Sequence, residues 1–250
     1  MERWRGRVAI VTGASAGIGT AIAKMLAEQG MKVVATARRL DRLQKLSKES
    51  KGEIHAQKCD VTKEEDVIQL VRWTRENLGG VHVLVNNAGV YADNPIVEID
   101  TEKYHSVFNT NVFGLVTLTR EALKDMRERG VDDGHIFHIN SISGQRMIDV
   151  PPLNYVYSAS KHAVTVLTEG LRRELRDLKT KIRVTSISPG YVRTEIYIAE
   201  GHTKEESDKF YDSIICLESE DVANALLYAL ASPPHVQVHE ITILPVQQDG

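Results

Sequence analysis

A tyrosine and a lysine four residues apart, Tyr157 and Lys161, stand in the run Tyr-Val-Tyr-Ser-Ala-Ser-Lys-His-Ala-Val at 155–164. On a helix that spacing puts both side chains on one face, about one turn apart. A free phenol ionises near pH 10 and is a poor base at neutrality. A cation within a few ångströms lowers such a pKa by roughly 1–3 units. The pair is therefore expected to exchange a proton near pH 7, as a general acid or base must. Tyr155 has no such partner, because the residue four positions on is Ala159. A lone Tyr-x-x-x-Lys occurs by chance in many helices, so the rest of a site has to come from elsewhere in the chain.

The elements that would position the pair begin with a short apolar strand over 8–11. It runs into Thr12-Gly13-Ala14-Ser15-Ala16-Gly17-Ile18-Gly19, and a helix follows with Ile22, Met25 and Leu26 on one face, stopping at Gly30. Strand, glycine turn and helix together make a phosphate cradle: glycines let backbone approach a pyrophosphate, and the helix start offers free N–H groups. The spacing is Gly-x-x-x-Gly-x-Gly rather than Gly-x-Gly-x-x-Gly. A second strand over 32–37 ends at Ala37, with Arg38 and Arg39 directly after it. An acidic residue there would bind the ribose 2′-hydroxyl of NAD. Guanidinium groups match a phosphate instead, so NADP(H) is the expected cofactor.

Further on, a helix over 40–50 leads to a strand over 54–58, closed by Cys59-Asp60-Val61. Asp60 is read either as an adenine contact or as a turn aspartate. Thr62-Lys63-Glu64-Glu65 has the pattern of a capping box opening the next helix. A strand over 81–85 ends in Asn86-Asn87-Ala88-Gly89, small residues suited to backbone packing beside a cofactor. One helical tract is expected over 104–129, carrying Asn109 and Asn111, although asparagine is a mediocre helix former. The strand over 134–140 ends in Ser141-Ile142-Ser143-Gly144, and either serine could hold a substrate oxygen beside the phenol. The Tyr157 helix is expected to run to 178. A strand over 181–187 leads to Ser188-Pro189-Gly190-Tyr191-Val192-Arg193-Thr194, then a helix over 220–231 and a last strand over 240–244. This alternation predicts one α/β domain over 1–250: a doubly wound Rossmann-type parallel sheet of about seven strands, helices on both faces, and a ligand at the strands' carboxyl ends.

Composition sets outer bounds. The chain has 250 residues, which suits one large α/β domain or two small ones, and its 42% hydrophobic and 26% charged content with a net charge of −3 is ordinary for a soluble globular protein. No basic excess points to nucleic acid. Cys59 and Cys216 are too few and too distant for a disulfide framework, so a reduced, cytoplasmic chain is expected. No apolar run is long enough for a membrane span, and the N-terminus reads as leading straight into a strand with no signal peptide. The histidines show no metal-ligand spacing, and no metal is expected.

Together these pieces resemble the short-chain dehydrogenase/reductase family over nearly the whole chain. The marks are Thr12-Gly13-x-x-x-Gly17-Ile18-Gly19, Asn86-Asn87-Ala88-Gly89, Asn111, Ser141, Tyr157-x-x-x-Lys161 and Pro189-Gly190-x-x-x-Thr194. Within it, the N-terminal run at 1–7 and Val131-Asp132-Asp133-Gly134-His135-Ile136 look like the animal subgroup called member 11, which includes insect farnesol dehydrogenases. The resemblance implies a catalytic set of Asn111, Ser141, Tyr157 and Lys161. Tyr157 would be the acid/base, Lys161 would lower its pKa and hold the nicotinamide ribose, Ser141 would place the substrate oxygen, and Asn111 would support a water toward Lys161. It also implies a cofactor set: Gly13, Ser15, Ala16, Gly17, Ile18, Gly19, Arg38, Arg39, Asp60, Val61, Asn87, Ala88, Gly89, Tyr157, Lys161, Pro189, Gly190, Val192 and Thr194. Ala16 departs from members with a basic residue there, and Ile243-Leu244-Pro245-Val246 replaces the usual aspartate-glycine-glycine ending.

The expected reaction is hydride transfer between NADP(H) and a lipophilic alcohol or carbonyl compound, an isoprenoid alcohol such as farnesol or a hydroxysteroid. Residues 191–217 read as a lid. Tyr191, Tyr197, Phe210, Tyr211, Ile196, Ile198, Ile214 and Ile215 would give it apolar ends, and a polar stretch over 200–208 would be its mobile tip. Met147, Ile148, Pro151 and Pro152 would form the facing wall. Alternatives are a reductase of acyl chains on a carrier protein, docking through Arg172, Arg173 and Arg176, and a non-catalytic NADPH sensor. The resemblance further implies a homodimer or homotetramer, with Leu115, Leu118, Leu123, Val164, Leu167 and Leu171 available as apolar contact surface.

Overall fold

Val8–Thr12 forms β1, and all five of its residues are buried. A strand covered on both faces carries no polar alternation, which is the pattern of a parallel sheet's interior. The computed structural model describes residues 1–147 and 154–248. The other strands are β2 (Lys32–Ala37), β3 (Ile54–Lys58), β4 (Val83–Asn86), β5 (His135–Ile139), β6 (Arg183–Pro189) and β7 (Glu240–Ile243). They form one sheet in the order β3-β2-β1-β4-β5-β6-β7, with every pairing parallel. The helices are α1 (Gly17–Glu28), α2 (Leu40–Glu49), α3 (Glu64–Leu78), α4 (Thr101–Phe108), α5 (Leu115–Glu128), α6 (Tyr155–Asp177), α7 (Ile196–Glu200), α8 (Lys204–Asp212) and α9 (Ser219–Ala231).

Two cores follow from the two faces of the sheet. Ile22, Leu26, Leu43 and Leu226 bring α1, α2 and α9 onto Ala9, Val11, Phe137 and Ile187. Val67, Leu70, Leu118 and Leu175 bring α3, α5 and α6 onto Ile10, Leu84, Ile136 and Val184. Neighbouring residues of a strand thus serve opposite cores. The chain winds outward from β1 to β3, then returns to lay β4 on the other side of β1. A reversal of that kind opens a crevice at the carboxyl ends of β1 and β4.

Several boundaries differ from the sequence expectation because side chains capture backbone groups. β4 starts at Val83 rather than 81, since the Val81 N–H donates to the buried Asp125 Oδ2 at 2.8 Å. β6 starts at Arg183 rather than 181, since Lys181 N–H donates to Asp132 O at 3.0 Å. The capping box at Thr62 is not formed: Lys63 is the cap position of α3, and the Thr62 hydroxyl donates to Asp60 Oδ1 at 2.8 Å. The N-terminus makes a 3₁₀ turn, Glu2–Trp4, before β1, and the buried Trp4 indole donates to Leu230 O at 2.9 Å. The expected tract over 104–129 is two helices, α4 and α5, joined by the π-helical turn Asn109–Gly114. There Asn111 turns inward and exchanges hydrogen bonds with both backbone groups of Val90, each at 2.9 Å. Gly114 lets the turn touch the loop after β3, where a Cβ would lie 2.8 Å from Val61 O. Such turns recur at functional sites.

The polar stretch over 200–208 expected as the lid's mobile tip spans the end of α7, a short turn over 201–203 and the start of α8. α8 begins with a reciprocal capping box, in which Thr203 Oγ1 accepts the Glu206 N–H at 3.2 Å and Glu206 Oε2 accepts the Thr203 N–H at 2.8 Å. Of the apolar surface expected for oligomer contacts, Leu115, Leu118 and Val164 belong to the chain's own interior. The open groove between α5 and α6 is lined by the expected Leu123, Leu167 and Leu171 and by an edge of Leu115, together with Val116, Val166 and Leu178.

Gly144 is where the β5 exit meets α6. A Cβ there would lie 2.6 Å from Lys161 O and 2.7 Å from Asn140 Oδ1. The first contact is backbone and cannot rotate away. Gly144→Ala is therefore expected to cost about 1–3 kcal/mol of stability, read as a lower urea midpoint; an unchanged midpoint would show that the contact has slack.

Candidate active site

Thr12, the last residue of β1, ties two loops together. Its hydroxyl accepts the N–H groups of Asn87 at 3.0 Å and Ala88 at 2.9 Å, while Asn87 Nδ2 donates to Thr12 O at 2.8 Å. The crossing leaves no room for side chains. At Gly13, with φ +65°, a Cβ would lie 2.9 Å from Ala88 Cα, and at Gly19 it would lie 2.5 Å from Gly13 O. Gly17, with φ +52°, sits against Thr194. Helix α1 opens at Gly17 with no side-chain cap, so its first N–H groups and the positive end of its dipole are available to an anion. The turn thus fits a dinucleotide's pyrophosphate.

This turn forms one end of a cavity of about 460 Å³ at the carboxyl ends of the strands. All the predicted site residues line it except Gly19, which is packed behind the turn against Asn87, and Asn111, which lies behind Val90. At the β2 side, Arg38 is exposed, and its side chain has no protein partner among the described residues. Arg39 is engaged: its Nε and Nη2 donate to Ser15 Oγ at 3.2 and 2.9 Å, and its Nη1 donates to Glu195 Oε2 at 3.3 Å. Asp60 behaves as a turn aspartate, with Oδ1 accepting both the N–H and the hydroxyl of Thr62, and it also faces the cavity.

At the other end, α6 presents Tyr157 and Lys161, and the 3₁₀ turn Ile142–Gly144 presents Ser141. Ser141 lines the cavity beside the phenol and lowers its pKa, and its hydroxyl accepts the Ser143 N–H at 3.1 Å, while Ser143 itself is buried. Lys161 Nζ lies 5.6 Å from the Tyr157 ring centre and donates to Ile139 O at 2.9 Å. Asn111 holds α6 from behind, with Nδ2 donating to Ser160 Oγ at 3.1 Å, and Ser160 donating in turn to Tyr157 O at 2.6 Å.

The electrostatics correct the expected depression of the phenol's pKa. Burial pushes Tyr157 up to about 12, against the opposing pull of its hydrogen bond with Ser141. Burial likewise brings Lys161 down to about 8. Both groups resist charge because both are desolvated, and the ammonium is spent on a carbonyl rather than on the phenol oxygen.

Sequence reasoning missed Tyr91, a nearly buried residue whose ring meets Tyr157 edge-on at 5.0 Å and the lid's Tyr197 at 5.2 Å. Its only signal was an aromatic two residues past Gly89. Tyr197 goes on to meet Phe210 at 4.8 Å and Tyr211 at 5.6 Å, so the lid aromatics form one cluster on the phenol. Tyr191, Ile196, Tyr197 and Tyr211 line the cavity, whereas Ile198, Ile215 and Met147 are exposed. Ile148, Pro151 and Pro152 lie outside the described residues.

The chain belongs to the short chain dehydrogenase family, whose model matches residues 7–205. The chain is an oxidoreductase of that family. It is 49% identical to a farnesol dehydrogenase of Aedes aegypti, over 98% of each protein. It is 44% identical to dehydrogenase/reductase SDR family member 11 of Gallus gallus, over 99% of each. Among solved structures, the closed form of a serine dehydrogenase complexed with NADP⁺ superposes with a TM-score of 0.90 at 32% identity, covering 97% of this chain and 96% of that one.

Because the folded-state pKa of Lys161 is lowered, the unfolded chain holds more protons between about pH 8 and 10.5. Wild-type stability gains over that window relative to a variant without the amine. Lys161→Met is therefore expected to be relatively most stable below pH 8 and to lose about 3 kcal/mol of that relative advantage by pH 10.5. Urea unfolding of both proteins at pH 7.5 and 10.5 checks this, and parallel pH profiles would contradict the buried-amine account.

Proposed function

We propose that the protein interconverts a lipophilic alcohol and its carbonyl compound using NADP(H). The observation that carries this is the convergence of Ser141, Tyr157 and Lys161 in one cavity with the glycine turn and the exposed Arg38. The dinucleotide, when bound, supplies or accepts the hydride. Gly13, Gly17 and the open start of α1 would hold its pyrophosphate, with Gly19 letting the turn pack against Asn87 from behind and Ser15, Ala16, Ile18, Asn87, Ala88 and Gly89 around it. Asp60 and Val61 would lie on the adenosine side, and Pro189, Gly190, Val192 and Thr194 on the nicotinamide side.

The protein's own part is proton handling and exclusion of water. Ser141 orients the substrate oxygen toward the Tyr157 hydroxyl. In carbonyl reduction the phenol donates its proton to the developing alkoxide. In alcohol oxidation the phenolate removes the hydroxyl proton. Lys161 keeps a positive charge within reach of the phenolate as it forms, and Asn111 supports the proton path toward Lys161 from behind. A phenol held near pKa 12 suits donation at neutral pH, so reduction is favoured there and oxidation speeds up as pH rises.

Three further observations support the substrate class. The cavity that holds Ser141 is also lined by the aromatics Tyr91, Tyr191, Tyr197 and Tyr211. Each apolar side chain buried by a ligand contributes roughly 1.5–3 kcal/mol, so a few contacts select large apolar substrates. The relative at 49% identity is a farnesol dehydrogenase, which supports ranking isoprenoid alcohols ahead of hydroxysteroids. The carrier-protein alternative is weakened because Arg172 and Arg173 are both bound to Glu169, and Arg176 to Asp177.

Tyr157→Phe is expected to abolish turnover while leaving NADPH binding within about twofold, since the phenol acts on the substrate proton. Retained turnover would remove Tyr157 from its role. Wild-type kcat/KM should rank farnesol or a steroid ketone above a short sugar alcohol; the reverse order would sink the substrate class. A charge-assisted hydrogen bond contributes about 1.5–3 kcal/mol, so Arg38→Ala should weaken NADPH about 10–150-fold and spare NADH. Equal kcat/KM with both cofactors in the wild type would refute the NADP assignment.

A further inference from the structure

Glu195 is the only acidic side chain that the described residues bring onto the arginines after β2. It is a lid residue, the cap position of α7, and it also lines the cavity. Its Oε2 accepts from Arg39 Nη1 at 3.3 Å and from Arg42 Nη1 at 2.5 Å. The remaining donors of Arg39 in use, Nε and Nη2, go to Ser15 Oγ. One carboxylate oxygen therefore sits between two guanidinium groups, in the way one oxygen of a phosphate would. All three side chains are close to half exposed, so a ligand can compete for these bonds.

We propose that Glu195 is a cofactor-selecting residue that competes with the adenosine 2′-phosphate for Arg39 and Arg42, so that NADP(H) binding releases the start of the lid. The inference rests on the NADP reading above. Arg38, which has no side-chain partner among the described residues, receives the phosphate first. Arg38, Arg39 and Glu195 line the same cavity, so a phosphate that extends from Arg38 onto Arg39 meets the Glu195 carboxylate already bound there, and two like charges cannot share Arg39 without repulsion. The carboxylate swings out and the phosphate takes its bonds. A cofactor with a ribose 2′-hydroxyl carries no charge to drive that exchange. Glu195 therefore lowers affinity for the phosphorylated cofactor and links its arrival to the segment that carries Ile196 and Tyr197 into the substrate half of the cavity.

The test uses calorimetric titration of the full chain with 2′,5′-ADP, which has the 2′-phosphate but no nicotinamide, and with 5′-AMP, which lacks it. Exposed ion pairs are individually weak, so Glu195→Gln should tighten 2′,5′-ADP by about 3–10-fold and leave 5′-AMP within about twofold. In an Arg39→Ala, Arg42→Ala background the same change should give no gain, because the contested donors are gone. An unchanged or weakened 2′,5′-ADP affinity in Glu195→Gln overturns the proposal, and so does equal tightening of both nucleotides. If wild-type protein binds 2′,5′-ADP no better than 5′-AMP, and Arg38→Ala changes neither, the NADP reading itself has failed and the proposal falls with it.

Discussion

An ammonium group buried beside a phenol is the constraint on which the rest of the site depends. Lys161 lies on the sheet-facing side of α6 with almost no exposed surface, and a buried amine prefers to lose its proton. Its main compensation is the Ile139 carbonyl at the end of β5. That bond fixes the height of α6 against the sheet, and Gly144 permits the close approach by having no side chain to put between Lys161 O and Asn140. The surroundings avoid adding charge. His138, on the same face, is held down to about pKa 3 by burial and by Lys161 itself, so it stays neutral. Its Nδ1 lies 2.8 Å from Thr168 Oγ1, whose own proton goes to Val164 O, so the imidazole hydrogen is on Nδ1. A polar but uncharged backing lets the amine keep a pKa within reach of neutrality instead of losing its proton outright.

The same constraint explains the π-helical turn. Asn111 has to reach both Val90 and Ser160, which belong to different elements, and a regular helix through 109–114 would carry its side chain round to another face. The widened turn places one amide where it ties the loop after β4 to the helix of Tyr157. Asn111 therefore acts on the phenol through Ser160 and the Tyr157 carbonyl, by holding α6, in addition to any part in moving protons.

Much of this was legible before the structure. The strand-helix alternation gave the sheet because apolar runs of five or so residues bounded by glycine turns have few other solutions, and the glycine turn and the Tyr-Lys pair were legible because their spacing is their mechanism. What escaped was decided by single long-range contacts. Thr62 looked like a helix cap but is claimed by Asp60, and β4 loses Val81 to a buried aspartate 44 positions away. The polar run at 200–208 looks like a mobile tip by composition, although Thr203 and Glu206 hold the capping pattern that starts a helix within it. The direction of the Tyr157 shift was misread for a different reason. Spacing reports that a cation is near, but only packing reports that both groups are out of water, and here desolvation dominates both shifts, opposed at Tyr157 only by Ser141.

The segment after β6 makes one device of the two halves of the cavity. Within four residues it places Thr194 against Gly17 of the glycine turn, Glu195 on the arginines after β2, and Ile196 and Tyr197 in the aromatic half. Tyr197 then leans on Tyr91, which leans on Tyr157. A displacement at the adenosine end has only this short path of packed groups to travel before it reaches the phenol. Polar contacts anchor the far end of α7: Lys103 donates to Glu200 Oε1 at 2.7 Å, and His202 lies 3.0 Å from Asp93. With that end pinned to the loop after β4 and α4, movement of Glu195 would rotate α7 about its carboxyl end rather than carry it away. The ring of Tyr197, one turn from the pivot, would then swing across the mouth of the apolar half.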